Sequence, residues 1–522
     1  EGRRFTLHLR KGHKWSDGHP FTTEDFRYYW EDVATDPDIS PYGAPKELLV
    51  EGKLPQFEVI DDVTVRYTWE KANPFFLSAL AGASPLFIFR PSHFMKPFHA
   101  KYTDEKILAE KIKAHRKRTW RALHFHYDRQ YRFDRIGLPT LQPWLNTTKP
   151  PSDRFVFKRN PYFHRVDTNG LQLPYADEVV MTIAGSKLIA AKVGSGEADL
   201  QARALQFKNY TFLKRGEKRS GFTVHRWVTA LGAQMALFPN LNTADPVWKK
   251  LLRDVRFRRA LSLGIDRHEI NQVVYFGLGL EGGNSVLPNS ALFKPGYRTK
   301  WSSYNVKMAN ELLDQLGLDK RDSSDMRLMP DGRALEIIVE SAGEESDQAD
   351  VLQLITDSWR KLGIRLFTKP TRREVLRRRA MAGATTMSIW YGLENGVPTA
   401  NSSPAQLTPS RDDQLQWPKW GQYQITEGKS GEAAHYPPAV KLIELNKAWI
   451  GANSDDEREK IWHQILEINA DQVFSIGLIA GIPQPVVVNN TLRNVPKKGV
   501  YNWDPGAHFG IYRPDTFWFE KD

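Results

Sequence analysis

LEIIVESAGEESDQADVLQLITDSWRKLGIRLFTKPTRREVLRRRAMAGATTMSIWY, residues 335–391, decides the fold class of this chain. Residues 335–340 are a short apolar run of the kind that forms a buried strand. Val351, Ile355, Trp359 and Leu362 then fall on one face of a helix that stops at Gly363, a residue suited to the left-handed turn ending a helix. Residues 364–367 read as the next strand, 372–382 as a second helix and 386–391 as a third strand. Strand, helix, strand, helix, strand at these spacings predicts parallel pairing through right-handed crossovers. This part of the chain is an α/β lobe.

Working outward, the alternation of helices and strands begins near residue 245. Residues 255–263 read as a helix, and Asp266 can cap another, with Glu269 at its third position, Ile270, Val273 and Val274 on its apolar face and Gly277 at its end. Upstream, a strand-like run ends near Leu237, a turn covers 194–199, and 148–185 reads as loops and short strands. Residues 100–135 are strongly basic and helical in composition. The opening is strand, turns, helix: Phe5, Leu7 and Leu9 alternate, and Thr22 caps a helix with Asp25 at its third position and Phe26, Tyr29, Trp30 and Val33 on one face. Downstream, 392–438 is a long irregular segment rich in Pro, Ser, Gly, Gln and Trp, a length that is uncommon unless functional. Ser454 and Glu457 form a capping box for a helix carrying Ile461, Trp462, Ile465 and Leu466. Short strands and turns complete the chain.

The 522 residues allow about three structural units. No stretch approaches the roughly 20 uninterrupted apolar residues of a spanning helix. Cysteine is absent, which excludes disulfides, thiolate metal sites and a cysteine nucleophile. The chain opens without an apolar leader and runs straight into a strand, so a processed or truncated product is expected.

Several passages, taken in order, resemble the extracytoplasmic solute-binding proteins of peptide/nickel-type ABC importers, the oligopeptide-binding-protein family. They are FTLHLRKGHKWSDGHPFTTEDF (5–26), KRNPYFHRVDTNGLQLPYADEV (158–179), GSGEADL (194–200), DVRFRRALSLGIDRHEINQVVYFG (254–277) and DSWRKLGIRL (357–366). The resemblance implies a two-lobed periplasmic-binding-protein fold of α/β class with mixed sheets, two hinge connections and an extra subdomain in the first lobe. The expected division is 1–240 for the first lobe with its inserted subdomain and an incomplete N-terminus, 241–480 for the second lobe, and 481–522 for the return to the first. It implies capture of a solute between closing lobes and delivery to a permease, with no catalysis. Peptide binders of the family carry an acidic, proline-flanked motif after the strand corresponding to 386–391, whose Asp pairs with the peptide amino terminus. Here that place reads WYGLENGVPTANSSP (390–404), with no Asp and one Glu394. Within the family, the chain looks most like the long α-galactoside-binding members of soil bacteria.

The net charge of +12, from 73 basic and 61 acidic residues, raises nucleic-acid binding as an alternative. The basic runs at 111–121 and 372–379 carry no zinc-finger spacing or RNA-binding aromatic signature. The second also contains Val375, Leu376, Ala380 and Met381, an apolar stripe for a core, which leaves its arginines on a solvated face. His124 and His126 share a face if they lie on a strand and raise a metal reading, with Asp128 nearby. No metal-ligand spacing accompanies them, and partly exposed histidines are expected. Paired carboxylates keep a glycoside hydrolase in view, but no nucleophile elbow, P-loop or dinucleotide fingerprint appears.

The tryptophans say more. Trp30, Trp359 and Trp462 sit at helical core spacing. Trp390, Tyr391, Trp417, Trp420 and Tyr423 lie at a strand end or in the Pro/Gly-rich segment, where flat apolar faces suit the C–H faces of sugar rings. Ligands of open α/β sheets bind outside the carboxyl ends of the strands, which directs Trp390, Tyr391, Glu394 and Asn395 to the cleft. The strand through Trp227 and Gln234 adds those two side chains. The resulting expectation is a monomeric periplasmic protein that captures an oligosaccharide, such as raffinose or melibiose, and passes it to an ABC permease in the inner membrane. It has no cofactor, metal or nucleic-acid partner. A peptide or opine is the alternative ligand.

Overall fold

The computed structural model describes residues 2–129, 136–344, 347–452 and 454–520. Residues 130–135 of the basic segment expected to be helical lie outside them. The chain divides into two compact units, Glu1–Gly185 with Asn490–Pro496 and Phe509–Asp522, and Ser186–Asn489 with Lys497–His508.

The first unit opens with an antiparallel sheet in which Thr64–Thr68 lies between Arg4–His8 and Gln56–Asp61. Trp15, Phe21, Phe26, Tyr28, Tyr67, Trp69 and Phe76 form its core. The expected capping box is present: the helix Thr23–Tyr29 starts from Thr22, and Asp25 at its third position closes the box. The buried Asp25 carboxylate also accepts from Trp15 Nε1 at 2.9 Å and from the Ser92 amide and hydroxyl at 2.9 and 2.8 Å. One acidic side chain thus joins a turn, a helix start and a distant loop. A second sheet orders Trp144–Asn146, Arg154–Arg159 and Glu178–Thr182. Its edge strand Glu178–Thr182 is exposed along its whole length, including Val179, Val180 and Met181.

Residues 124–126 differ from expectation. They lie on the helix Trp120–Tyr127, where residues two apart point to different faces. His124 is fully buried, with its Nε2 2.8 Å from Tyr28 Oη, and desolvation lowers its pKa to about 4. His126 is only half-buried. Among the described residues, no group of three or more His, Cys, Asp or Glu side chains could hold a metal ion.

The second unit contains the decisive stretch. Glu336–Ser341 pairs in parallel with Arg365–Pro370 on one side and Met387–Trp390 on the other, so the first strand of the series is central. Met387–Trp390 then pairs antiparallel with Ala236–Pro239, which pairs antiparallel with Ile476–Gly477. The sheet is mixed. Leu237, Phe257, Leu261, Ile337, Ile355, Trp359, Met387 and Ile389 belong to its core. Two arginines of the 254–277 passage are buried as fasteners. Arg258 donates to the carbonyls of Gln472 and Leu252, and Arg267 to those of Gly477, Ser262 and Ser302. Carbonyl partners let these cations remain inside, although burial lowers their pKa values.

A second sheet in this unit orders Leu200–Gln201, Gln484–Asn489 and Phe222–Trp227. The strand-like run ending near Leu237 is therefore two strands in two sheets. Gln234 lies in the segment between them.

Candidate ligand-binding site

Three chain segments cross where Met387–Trp390 ends. Leaving that strand, the Gly392 amide donates to Ala233 O at 2.9 Å and the Gly396 amide to Ala230 O, while the Gly232 amide donates back to Leu393 O at 2.7 Å. Asn284 Oδ1 accepts from the Leu393 amide at 2.6 Å. A side chain at Gly392 would bring its Cβ within 2.3 Å of Asn284 Oδ1, so the crossing requires glycine there. Arg298, buried beneath it, donates to Gly232 O at 2.7 Å and fixes the middle segment.

Trp390 and Tyr391 stand at this crossing, both half-buried, with ring centroids 5.7 Å apart in an edge-on arrangement. Trp390 packs against Ala236, Phe238, Ala380 and Leu415. The Arg373 guanidinium lies 5.1 Å from its ring centroid and is itself held by Glu344. Gln234 is half-buried beside the crossing, its amide bonded to Ile479 O at 2.6 Å. Among the described residues, nothing donates to the buried Gln234 Oε1. A half-buried aromatic pair at a strand end can stack on an apolar ring face.

Glu394 and Asn395 follow on the same loop. Asn395 Oδ1 accepts from the Val397 amide at 3.0 Å and shapes the turn. The Glu394 carboxyl accepts from the backbone amides of Trp503 and Asp504, and the Asn502 side chain donates to the carbonyls of Glu394 and Asp504. Desolvation, reinforced by the charge of Asp504, raises the Glu394 pKa, and burial raises that of Asp504. The segment 502–504 gave no sequence signal for this role; its contact is more than a hundred residues away in the chain.

The remaining expected residues are built in more deeply. Trp417 is 0% exposed, donates to Gln414 Oε1 at 3.0 Å and meets Phe474 edge-on at 5.0 Å. Trp420 is 1% exposed beneath the Arg253 guanidinium, and Trp227 is 1% exposed at the end of its strand, opposite Gln484. Tyr423 is half-buried, on the same helix as Trp420. That helix, Pro418–Ile425, interrupts the segment expected to be irregular; Pro418 at its first turn loses no hydrogen bond there. The structure brings Trp390, Tyr391, Glu394, Asn395 and Gln234 to one crossing and uses Trp417, Trp420 and Trp227 as packing.

Residues 1–414 match the family model described as bacterial extracellular solute-binding proteins, family 5 middle, and the chain belongs to that family. Its fold is that of the two-lobed periplasmic binding proteins. Among curated proteins, the periplasmic alpha-galactoside-binding protein of Rhizobium meliloti (strain 1021) is 26% identical over 96% of this chain and 71% of its own length. Among solved structures, the periplasmic binding protein MelB from Agrobacterium fabrum C58, in complex with stachyose, superposes with a TM-score of 0.75 at 22% identity, covering 100% of this chain and 75% of that one. An oligopeptide-binding protein OppA superposes with a TM-score of 0.65 at 29% identity, covering 100% and 83%.

Proposed function

We propose that this chain is the solute-binding component of an ABC importer, working in the periplasm. It captures an oligosaccharide of the α-galactoside class and delivers it to an inner-membrane permease. It acts as a monomer, without cofactor, catalysis or nucleic acid. The observation that carries the ligand class is the half-buried aromatic pair Trp390 and Tyr391 at one strand end, where the chain leaving the strand crosses the segment that leads into Gln234. The 26% identity to the alpha-galactoside-binding protein supports the same class. The return strand Gln484–Asn489, paired along Phe222–Trp227, supports lobes at 1–240 and 241–480 with 481–522 returning to the first. The pairing of Ala236–Pro239 with Met387–Trp390 favours ending the first lobe just before residue 236 rather than at 240.

The second reading is a peptide ligand, favoured by Glu394 at the place of the family's amine-binding acid and by the likeness to OppA. Burial holds Glu394 toward its neutral form, the opposite of what an ammonium partner needs. Calorimetric titration with stachyose, raffinose, melibiose and a tripeptide separates the two. Saturable heat with an α-galactoside and none with the peptide is the expected result. Binding of the peptide alone would reverse the assignment, and turnover of a bound sugar would make the chain an enzyme.

A further inference from the structure

We propose that the outward face formed by the helices Glu105–Ala114 and Trp120–Tyr127 in the first unit docks on a membrane of anionic phospholipid. Residues 104–129 carry eight Lys or Arg against Asp104, Glu105, Glu110 and Asp128. Asp128 is already paired with Arg90. Lys111 donates to Pro97 O, and Arg121 pairs with Asp38. Among the described residues, Lys113, Arg116, Lys117 and Arg118 make no ion pair, so the surplus of positive charge faces outward.

The second helix arranges that surplus. Arg121, Ala122 and Phe125 recur at helical spacing as exposed residues, with Arg118 exposed just before the helix, while Leu123 and His124 are buried on the other side. Phe125 is 57% exposed, and the Arg129 guanidinium lies 4.4 Å from its ring centroid. Ile107, on the first helix, is 51% exposed. Thr119 caps the second helix through the Ala122 amide, and Arg116 makes the turn before it at φ +51°.

Apolar side chains standing among cations, rather than in a groove, fit a headgroup layer. The ring and the isoleucine reach the acyl boundary, and guanidinium and ammonium groups meet lipid phosphates. The phosphate surface of a nucleic acid satisfies the cations but buries neither Phe125 nor Ile107. The surface belongs to the first unit and the candidate ligand site to the second, so its test does not depend on the identity of the solute.

The test is co-sedimentation of the whole chain with phosphatidylcholine vesicles, with and without phosphatidylglycerol, at increasing salt. Binding is expected only to the anionic vesicles and should weaken as salt screens it. Each cation near the surface strengthens binding roughly fivefold, so Lys113→Glu with Arg118→Glu should weaken it about a hundredfold or more. Phe125→Ser should weaken it about tenfold. These exposed substitutions should leave the melting temperature unchanged. The pair Arg372→Glu and Arg377→Glu, which reverses two exposed charges of the second unit, should leave vesicle binding intact. Four results would overturn the proposal: binding that ignores phosphatidylglycerol, binding untouched by the Lys113 and Arg118 reversals, an equal loss from the Arg372 and Arg377 pair, or displacement from vesicles by DNA at physiological salt.

Discussion

The aromatic residues at 417–420 and those at 390–391 belong to one unit and are held in different ways. Around Trp417, Gln414 gathers the loop: its Oε1 accepts from the indole and from the Ser410 and Arg411 amides, and its Nε2 donates to the carbonyls of Ala405, Gln406 and Thr408. Asn242 Oδ1 receives the Lys419 and Trp420 amides, and Gly421 lies so close to Arg411 O that a Cβ would be only 1.8 Å away. Every direction around these rings is filled. Trp390 has a strand below it and one arginine over it, and the next residues turn away at a glycine. An indole surrounded on all sides stabilises a fold; a half-buried indole at a strand end keeps part of its surface open to water.

The largest expected effect tests the filled region. Trp417→Ala removes a fully buried indole and orphans part of the Gln414 network, so it should cost about 3–5 kcal/mol of stability. A lower melting temperature, with affinity retained by the molecules still folded, sharpens the contrast. A variant that melts like the parent and loses its ligand breaks it.

Trp390→Ala should do the reverse. Lost stacking on a sugar face costs on the order of 1–3 kcal/mol of binding, or about 5- to 150-fold in affinity, with the melting temperature of the empty protein nearly unchanged. Titration calorimetry and thermal melting on the same preparation read both quantities. A large drop in melting temperature would place Trp390 with Trp417.

Gln234→Leu is subtler. An acceptor without a donor gives the empty protein little, so stability should hold or rise slightly, while losing a hydroxyl contact should weaken sugar binding about tenfold. Unchanged affinity would remove Gln234 from the site.

Glu394→Gln should give the smallest effect, visible through pH. The folded-state pKa of Glu394 lies above its ordinary value of 4.5, so the stability gained by keeping its proton is full below that value. That stability is lost as pH rises through the folded pKa. Glutamine keeps an acceptor for the Trp503 and Asp504 amides without the charge. The variant should therefore melt higher than the parent at neutral pH and equally at pH below about 4. A variant less stable at neutral pH would mean that the ionised carboxylate is what the loop needs.

Much of this architecture is readable from spacing. The helix–strand series of 335–391 appears within a few residues of its expected bounds, because apolar period and glycine stops are local properties. The capping box at Thr22 and the cap at Asp266 are likewise local. Strand order is not: Met387–Trp390 is the middle strand of the five only because Ala236–Pro239, from far upstream in the chain, pairs along its other side. The site was half legible. Residue spacing alone could not separate Trp390 from Trp417, because both lie near prolines and glycines, and the difference rests on Gln414, Asn242 and Phe474 closing around one of them. His124 shows the same limit, since its burial comes from Tyr28 and His99, neither of them a neighbour in the chain.

The edge strand Glu178–Thr182 has a practical consequence for anyone handling the protein. Its outer backbone groups and the side chains of Val179, Val180 and Met181 face water, with Ile183 and Leu188 exposed just beyond. Such an edge is a ready template for another extended chain. Self-association along this edge is the expected first sign of overloading as the protein is concentrated, and light scattering at rising concentration checks it. A single lysine at Val180 is the first change to make in a preparation meant for crystals or scattering, because a charge on that rim repels the next copy without disturbing the pairing to Arg154–Arg159 behind it.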